Sequence, residues 1–483
     1  MRHLFEFPLE LPEPGSRQRQ AALHGQLRAA ILDGRLKPGL RLPATRELAL
    51  SLGVSRNTVV AAYDLLLSEG YVVARHGAGN YVADMATRPT AKPASLPDDS
   101  RLASYWRKQA AVQAPPPLSF AYDFRVGTPD MSQFPFEVWR SLSARALRAL
   151  SKSPSIYAPP QGQPALREAI ARHVSFARAV ACEPDDILVT SGAQQAFDLL
   201  ARVLVTPGRT VVAVEDPGYP PLRAAFEAAG AEIVSVPVDA QGLVVEKIPA
   251  RASIVYVTPS HQFPVGMALS PSRRTALLDF AQAHGATVIE DDYDGEFRYG
   301  GRPLDALQTL DRSGTVCYVG TFSKCLFPTL RLGYVVMPPW LHAAMAQAKH
   351  LSDRYGDLLA QETLAAFIAE GHLVRHIRKM RKIYAERRQC LLDALQRHAQ
   401  GYLQAMPADA GLHLTASASS SVDIAALIGA AAEQGIRVES LHDYARGHGF
   451  HGIPFGFGLI EADRIDAAIG KVVALIARQE VVQ

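Results

Sequence analysis

Between residues 186 and 321, six short runs recur: DILVT, TVVAVE, EIVSVPV, SIVYVT, ATVIEDD and TVCYVGT. Most are rich in Val and Ile, and stretches with helical spacing of apolar residues separate them. Such apolar runs read as strands covered on both faces, with the intervening helices as cover. The pattern predicts βα units around a largely parallel sheet. From about Trp340 a long helical stretch leads to a smaller terminal α/β unit, Leu412 to about Arg478. No internal repeat is present.

The 483 residues suggest roughly three structural units at about 150 residues each. With 48% hydrophobic and 20% charged residues, disorder, collagen and coiled coil are excluded as the main architecture. No apolar run approaches the ~20 residues of a membrane-spanning helix, and Met1 to Leu11, with Glu6 and Glu10, does not read as a secretory signal. Cys182, Cys317, Cys325 and Cys390 lack the spacing of a metal or disulfide framework. A soluble cytoplasmic protein is expected, without membrane partners. Residues 86–118, rich in Pro, Ser and Ala, read as a linker in which Ser104–Ala114 has room for a short helix. The expected division is a head at 15–85, the linker at 86–118, a large domain at 119–345 and a small domain at 346–483.

The head concentrates the positive charge. Residues 15–92 hold eleven Lys/Arg against five Asp/Glu, although the whole chain is only +3. That asymmetry suits a polyanionic partner, and equally a solvated basic face. Gln20–Leu36 carries Leu23, Leu27, Ala30 and Ile31 at helical spacing, with Lys37-Pro38-Gly39 as the stop. A second helix is predicted from about Thr45 to Leu52, broken at Gly53. A third starts at the cap Ser55 and puts Val59, Ala62, Leu65 and Leu66 on one face. Two helices across a Gly turn, the second opening Ser55-Arg56-Asn57-Thr58, fit a helix-turn-helix whose second helix reads DNA. Tyr71–Ala74 and Asn80–Ala83 then flank a basic hairpin tip. The segment LKPGLRLPATRELALSLGVSRNTVVAAYDLLLSEGYVVARHGAGNYV resembles the winged helix-turn-helix of GntR-type bacterial regulators. The resemblance implies that Arg46, Ser55, Arg56 and Thr58 contact DNA, with His76 and Gly77 at the wing.

In the large unit, Lys324 is one of only ten lysines and follows a buried strand in YVGTFSKCLFPTLRLGY. Burial disfavours a lysine's charged form and activates it for Schiff-base chemistry. Thr321, Ser323 and Arg331 surround it with phosphate donors. Glu290-Asp291-Asp292-Tyr293 ends another strand, and a strand-end carboxylate can pair a pyridinium nitrogen. Ser191-Gly192-Ala193-Gln194 opens a helix whose N–H groups suit a phosphate. Tyr219 offers a ring face for stacking. Each feature alone is more often a cap or a salt-bridge partner. Their order resembles fold type I pyridoxal-phosphate aminotransferases over roughly residues 120–480. The resemblance implies pyridoxal 5'-phosphate on Lys324, with Asp291 at the ring nitrogen, Tyr293 at the phenolic oxygen and Tyr219 stacked. It assigns Ser191, Ala193, Gln194, Thr321, Ser323 and Arg331 to the phosphate, and gives Tyr157 to a neighbouring subunit's phosphate.

Two departures stand out. Such enzymes carry Asn-Pro-x-Gly where this chain has Phe263-Pro264-Val265-Gly266, and Phe cannot supply the amide. The arginine that clamps a substrate carboxylate has only Arg446 as nearest candidate. A GntR head joined to such a domain is similar to the MocR/GabR regulators. That family implies a domain-swapped homodimer on a double-stranded operator, responding to a small amine or amino acid through the cofactor imine. Pro221 stands where the gamma-aminobutyrate-responsive member carries Arg, which argues against that effector. The competing reading is a working aminotransferase with an incidental head.

Overall fold

The computed structural model describes residues 5, 7–13, 16, 18–75, 78–84, 100–108, 120–152, 157–300, 304–447 and 450–480. The chain forms two compact units, residues 1–103 and 104–483. Among the described residues no helix is long and apolar enough to cross a membrane.

In the first unit, helices Arg19–Leu32, Thr45–Leu52 and Arg56–Ser68 pack around Leu23, Leu27, Leu48, Val59 and Leu66, all fully buried. The first helix stops earlier than its apolar periodicity predicts. Gly34 adopts φ +82°, and the Asp33 carboxylate accepts from the Arg35 N–H, so the turn forms before Pro38 is reached. Gly53, in the left-handed region, ends the second helix. Ser55 then caps the third, its Oγ accepting from the Thr58 N–H at 3.1 Å, a device worth ~1 kcal/mol. Strands Val72–Arg75 and Gly79–Val82 form the antiparallel wing. Most of the expected linker lies outside the described residues. Within 100–108 the helix is only Ser104–Arg107, and the Tyr105 hydroxyl bonds the Ala224 carbonyl.

The second unit is built on an eight-stranded sheet. Its order is Ile187–Thr190, Gly333–Val336, Val316–Thr321, Thr287–Asp292, Ile254–Val257, Val211–Asp216, Glu232–Asp239, Gly242–Leu243. The five strands from Val316–Thr321 to Glu232–Asp239 run parallel. Gly333–Val336 is antiparallel to both neighbours, and Gly242–Leu243 is antiparallel at the edge. Val211–Asp216 and Val316–Thr321 are buried at every position, as expected for strands covered on both faces. The carboxyl ends of Val211–Asp216, Thr287–Asp292 and Val316–Thr321 open on one edge, where open α/β sheets bind ligands.

The terminal α/β unit is larger than its sequence pattern suggests. Its antiparallel sheet begins at Leu403–Ala405 and continues through His413–Ala418 and Gly452–Gly456. Ile436–Arg437 pairs in parallel with Tyr122–Asp123, a segment distant in sequence that would otherwise be counted with the large domain. Phe124 holds that segment in place, edge-on to Phe455 with ring centres 5.3 Å apart.

Candidate functional site

The strand ends border a cavity of about 460 Å3. Lys324, Asp291, Tyr293, Tyr219, Ala193, Gln194, Thr321, Ser323 and Arg331 all line it. The fold thus brings nine of the eleven expected cofactor-site side chains to one place.

Asp291 stands near the end of strand Thr287–Asp292, next to Tyr256 of the adjacent strand, whose hydroxyl donates to Asp291 Oδ2 at 2.7 Å. Asp291 Oδ1 is buried without a partner. Burial pushes this carboxyl up to about 7, opposed by the Tyr256 hydrogen bond. Leaving such an acceptor unmet costs about 1–3 kcal/mol, a cost that an N–H donor entering the cavity would remove. Lys324 follows strand Val316–Thr321 and donates from Nζ to the Gly127 carbonyl at 2.6 Å. Burial pulls its pKa below the usual lysine value, with Asp294 and Asp291 opposing.

On the other side, helix Ala193–Leu204 begins at the cavity without a side-chain cap, so its first N–H groups are free for an anion. Gly192 precedes it at φ +78°, and a Cβ there would come within 3.1 Å of the Arg331 guanidinium. Arg331 also donates to the Ser191 carbonyl at 3.0 Å. Ser191 itself is not among the lining residues; its N–H bonds Gln195 Oε1. Tyr157 also lies outside the cavity, 71% exposed, with the Arg354 guanidinium 5.0 Å from its ring centre. Arg446 is not among the lining residues either. It ion-pairs with Glu227, and its N–H bonds Asp216 Oδ1 at 2.9 Å.

Phe263 forms an apolar wall in the cavity. Its ring meets Tyr219, Tyr293 and Tyr444 nearly edge-on, with centres 5.6, 5.7 and 5.2 Å away. Lys324 and Arg331 are the only cationic side chains among the lining residues. Tyr256, Gly127 and Tyr444 were not anticipated as site residues. Tyr256 had a readable signal, a lone polar hydroxyl inside an otherwise apolar strand.

In the first unit Arg46, Ser55 and Arg56 are exposed and Thr58 half-buried, the last three at the start of helix Arg56–Ser68. Arg56 Nε lies 3.5 Å from Thr45 Oγ1, which ties the second and third helices together at the exposed end. Arg41, exposed and bridged to Tyr81, adds a cation beside the wing. Arg75 lies over the Tyr81 ring at 4.5 Å. His76 and Gly77 lie outside the described residues.

Residues 19–82 match the model for bacterial regulatory proteins of the gntR family, and residues 123–441 match aminotransferase class I and II. A probable rhizopine catabolism regulatory protein MocR of Rhizobium meliloti is 38% identical over 425 residues, 87% of this chain and 85% of the relative. The chain belongs to the MocR group of GntR-type transcription regulators. The pyridoxine biosynthesis transcriptional regulator PdxR of Corynebacterium glutamicum is a second such relative, 34% identical over 97% of this chain and 98% of its own. Among solved structures, a kynurenine aminotransferase of Pyrococcus horikoshii in complex with PMP superposes at TM-score 0.69 with 26% identity. It covers 75% of this chain and 92% of its own. Members of this group join a GntR head to an aminotransferase-like domain, as the two units do here.

Proposed function

We propose that this regulator carries pyridoxal phosphate in the Lys324 cavity and changes its hold on operator DNA when a small amine or amino acid reaches that cofactor. The observation that carries the reading is the unpaired Asp291 Oδ1, buried in the cavity that also holds the Lys324 amine. The donor set fits the group. Asp291 holds a ring N–H, and Tyr219 lends an aromatic face. The N-terminus of Ala193–Leu204, with Thr321, Ser323 and Arg331, holds a phosphate. When bound, the cofactor supplies reversible carbonyl chemistry toward amines. Lys324 anchors it, and Phe263 and Tyr444 keep water from that side of the cavity.

The head residues Arg46, Ser55, Arg56 and Thr58 contact DNA, Arg56 at base edges and the Ser55–Thr58 turn at phosphate. A homodimer completes the arrangement, with exposed Tyr157 reaching the cofactor phosphate of the second copy and paired heads on paired half-sites. The expected boundaries at 86, 119 and 346 belong to this same reading.

Operator affinity with and without a panel of amines, on cofactor-loaded protein, tests it beside a multiple-turnover assay. An amine that shifts affinity without turnover supports the regulator. Rapid turnover with no effect on DNA binding replaces it with a transaminase bearing an incidental head.

A further inference from the structure

Beneath the cavity lies a buried cluster that the reading above does not use. His261 and Asp294 are 1% and 2% exposed in their side chains, and His261 Nδ1 lies 3.1 Å from both Asp294 carboxylate oxygens. A carboxylate only accepts, so Asp294 fixes the His261 proton on Nδ1. That N–H also lies 2.9 Å from Tyr293 Oη. With its one Nδ1 proton shared between the Asp294 carboxylate and Tyr293 Oη, His261 gives the phenol one branch of a three-centre hydrogen bond, and the phenol keeps its own O–H to give. At present it donates to the His261 main-chain carbonyl at 3.1 Å. Accepting one bond strengthens a hydroxyl as donor of the next. His413 closes the cluster, its ring 4.7 Å from that of His261 and its Nε2 at 2.9 Å from the Pro264 carbonyl. Burial holds His413 down at about 3, so it brings no positive charge to the cluster.

We propose that His261, held by Asp294, is a positioning residue that orients and polarises the Tyr293 hydroxyl toward the cofactor's phenolic oxygen, replacing the amide lost at Phe263. The proposal rests on the cofactor reading above. Phe263 stands in the same loop, two residues beyond His261, and meets both Tyr293 and His413 by ring contact. In this loop the polar side chain that reaches Tyr293 is therefore residue 261 and not residue 263.

The readout is the midpoint pH at which the visible absorbance bands of the lysine-bound cofactor interconvert. Other charges face this region and set the wild-type midpoint: Asp291, Asp292 and Asp294 around Tyr293, Glu215 from strand Val211–Asp216, and Lys324 itself. The variants leave these in place. His261→Leu removes the N–H and His261→Gln misplaces it, whereas His261→Asn keeps an N–H near the Nδ1 position. A weakened donor to the phenolic oxygen raises the midpoint. Leu and Gln are expected to raise it by about one pH unit, and Asn to return it toward wild type. In a Tyr293→Phe background the same His261 changes should add nothing, because their effect passes through the hydroxyl. If His261→Leu does not fold, the Gln and Asn pair decides the matter. Equal midpoints for wild type, Gln and Asn overturn the proposal, as does an undiminished His261 effect without the Tyr293 hydroxyl. A wild type that shows no visible cofactor band overturns the cofactor reading, and this proposal with it.

Discussion

Tyr256 and Asp291 share one hydrogen bond, 2.7 Å from hydroxyl to Oδ2, which occupies half of a carboxylate that is otherwise buried and unmet. Without cofactor this arrangement works against the fold whenever Asp291 is ionised. Its pKa, pushed up to about 7 by burial, lies above the unfolded value of ~3.9. A group raised in this way contributes stability that is whole below pH ~4 and is lost as pH rises through about 7. Glu215 and Glu290, also pushed up to about 7 by burial, slope the same way. Asp291→Asn removes one share of that slope. Urea unfolding of both cofactor-free proteins should show the variant gaining about 2–4 kcal/mol on wild type between pH 5 and pH 8. Parallel stability curves would contradict this.

Phe263→Asn restores the amide at the cost of the aromatic wall. Four ring contacts are lost, with Tyr219, Tyr293, His413 and Tyr444, each aromatic pair worth about 0.5–1.5 kcal/mol beyond area. The cofactor-free variant should unfold with about 3 kcal/mol less stability. An amide at residue 263 would stand in the cavity lining, where the cofactor would offer it a partner. The stabilisation conferred by added cofactor, read as a rise in Tm, should therefore be larger in the variant than in wild type.

The DNA head was readable because its signals are local. Thr45–Leu52, the Gly53 break and the Ser55 cap stand where their residues predict. Apolar spacing continues to Leu36 and carries no mark of the Asp33–Gly34 turn, which ends the first helix at Leu32. Most of the cavity side chains lie at strand ends or helix starts, where residue type and position together carry meaning. The Gly127 carbonyl that receives Lys324 could not be foreseen, since any residue offers a carbonyl. The pairing of Tyr122–Asp123 with Ile436–Arg437 has no local sequence signal, because it depends on long-range packing of Phe124 on Phe455. His261 carries no local signal, because its contacts with Asp294 and Tyr293 come from another strand end.

Arg56 and Arg41 should separate by what they read. Arg56 stands exposed at the first position of helix Arg56–Ser68, where a recognition helix meets base edges. Arg56→Ala is expected to cost about 1–3 kcal/mol and to relax sequence preference. Arg41, exposed beside the wing and away from the start of that helix in sequence, is predicted to meet phosphate. Arg41→Ala should weaken all sequences alike and lower the salt slope by about 1. Fluorescence anisotropy with operator and scrambled duplexes over a salt series checks both; matching profiles for the two variants would refute the assignment.

Lys324→Ala separates cofactor attachment from folding and from DNA contact. The lysine makes one hydrogen bond, to the Gly127 carbonyl, and burial already disfavours its charged form. Its removal takes little from the core, while Asp291, Arg331 and the start of Ala193–Leu204, proposed above to hold ring and phosphate, stay in the cavity lining. The variant should stay folded with wild-type far-UV circular dichroism and lose the visible absorbance of the lysine-bound cofactor. Operator affinity without effector should remain within about twofold, because the GntR-type head belongs to the first unit and Lys324 to the second. The change in affinity caused by an amine should disappear, since no lysine remains for the amine to displace from the cofactor. Titrating operator with and without the amine, for wild type and variant side by side, gives the answer in one experiment. An undiminished amine response in the variant would show that sensing bypasses Lys324 and would move the effector site elsewhere in the second unit.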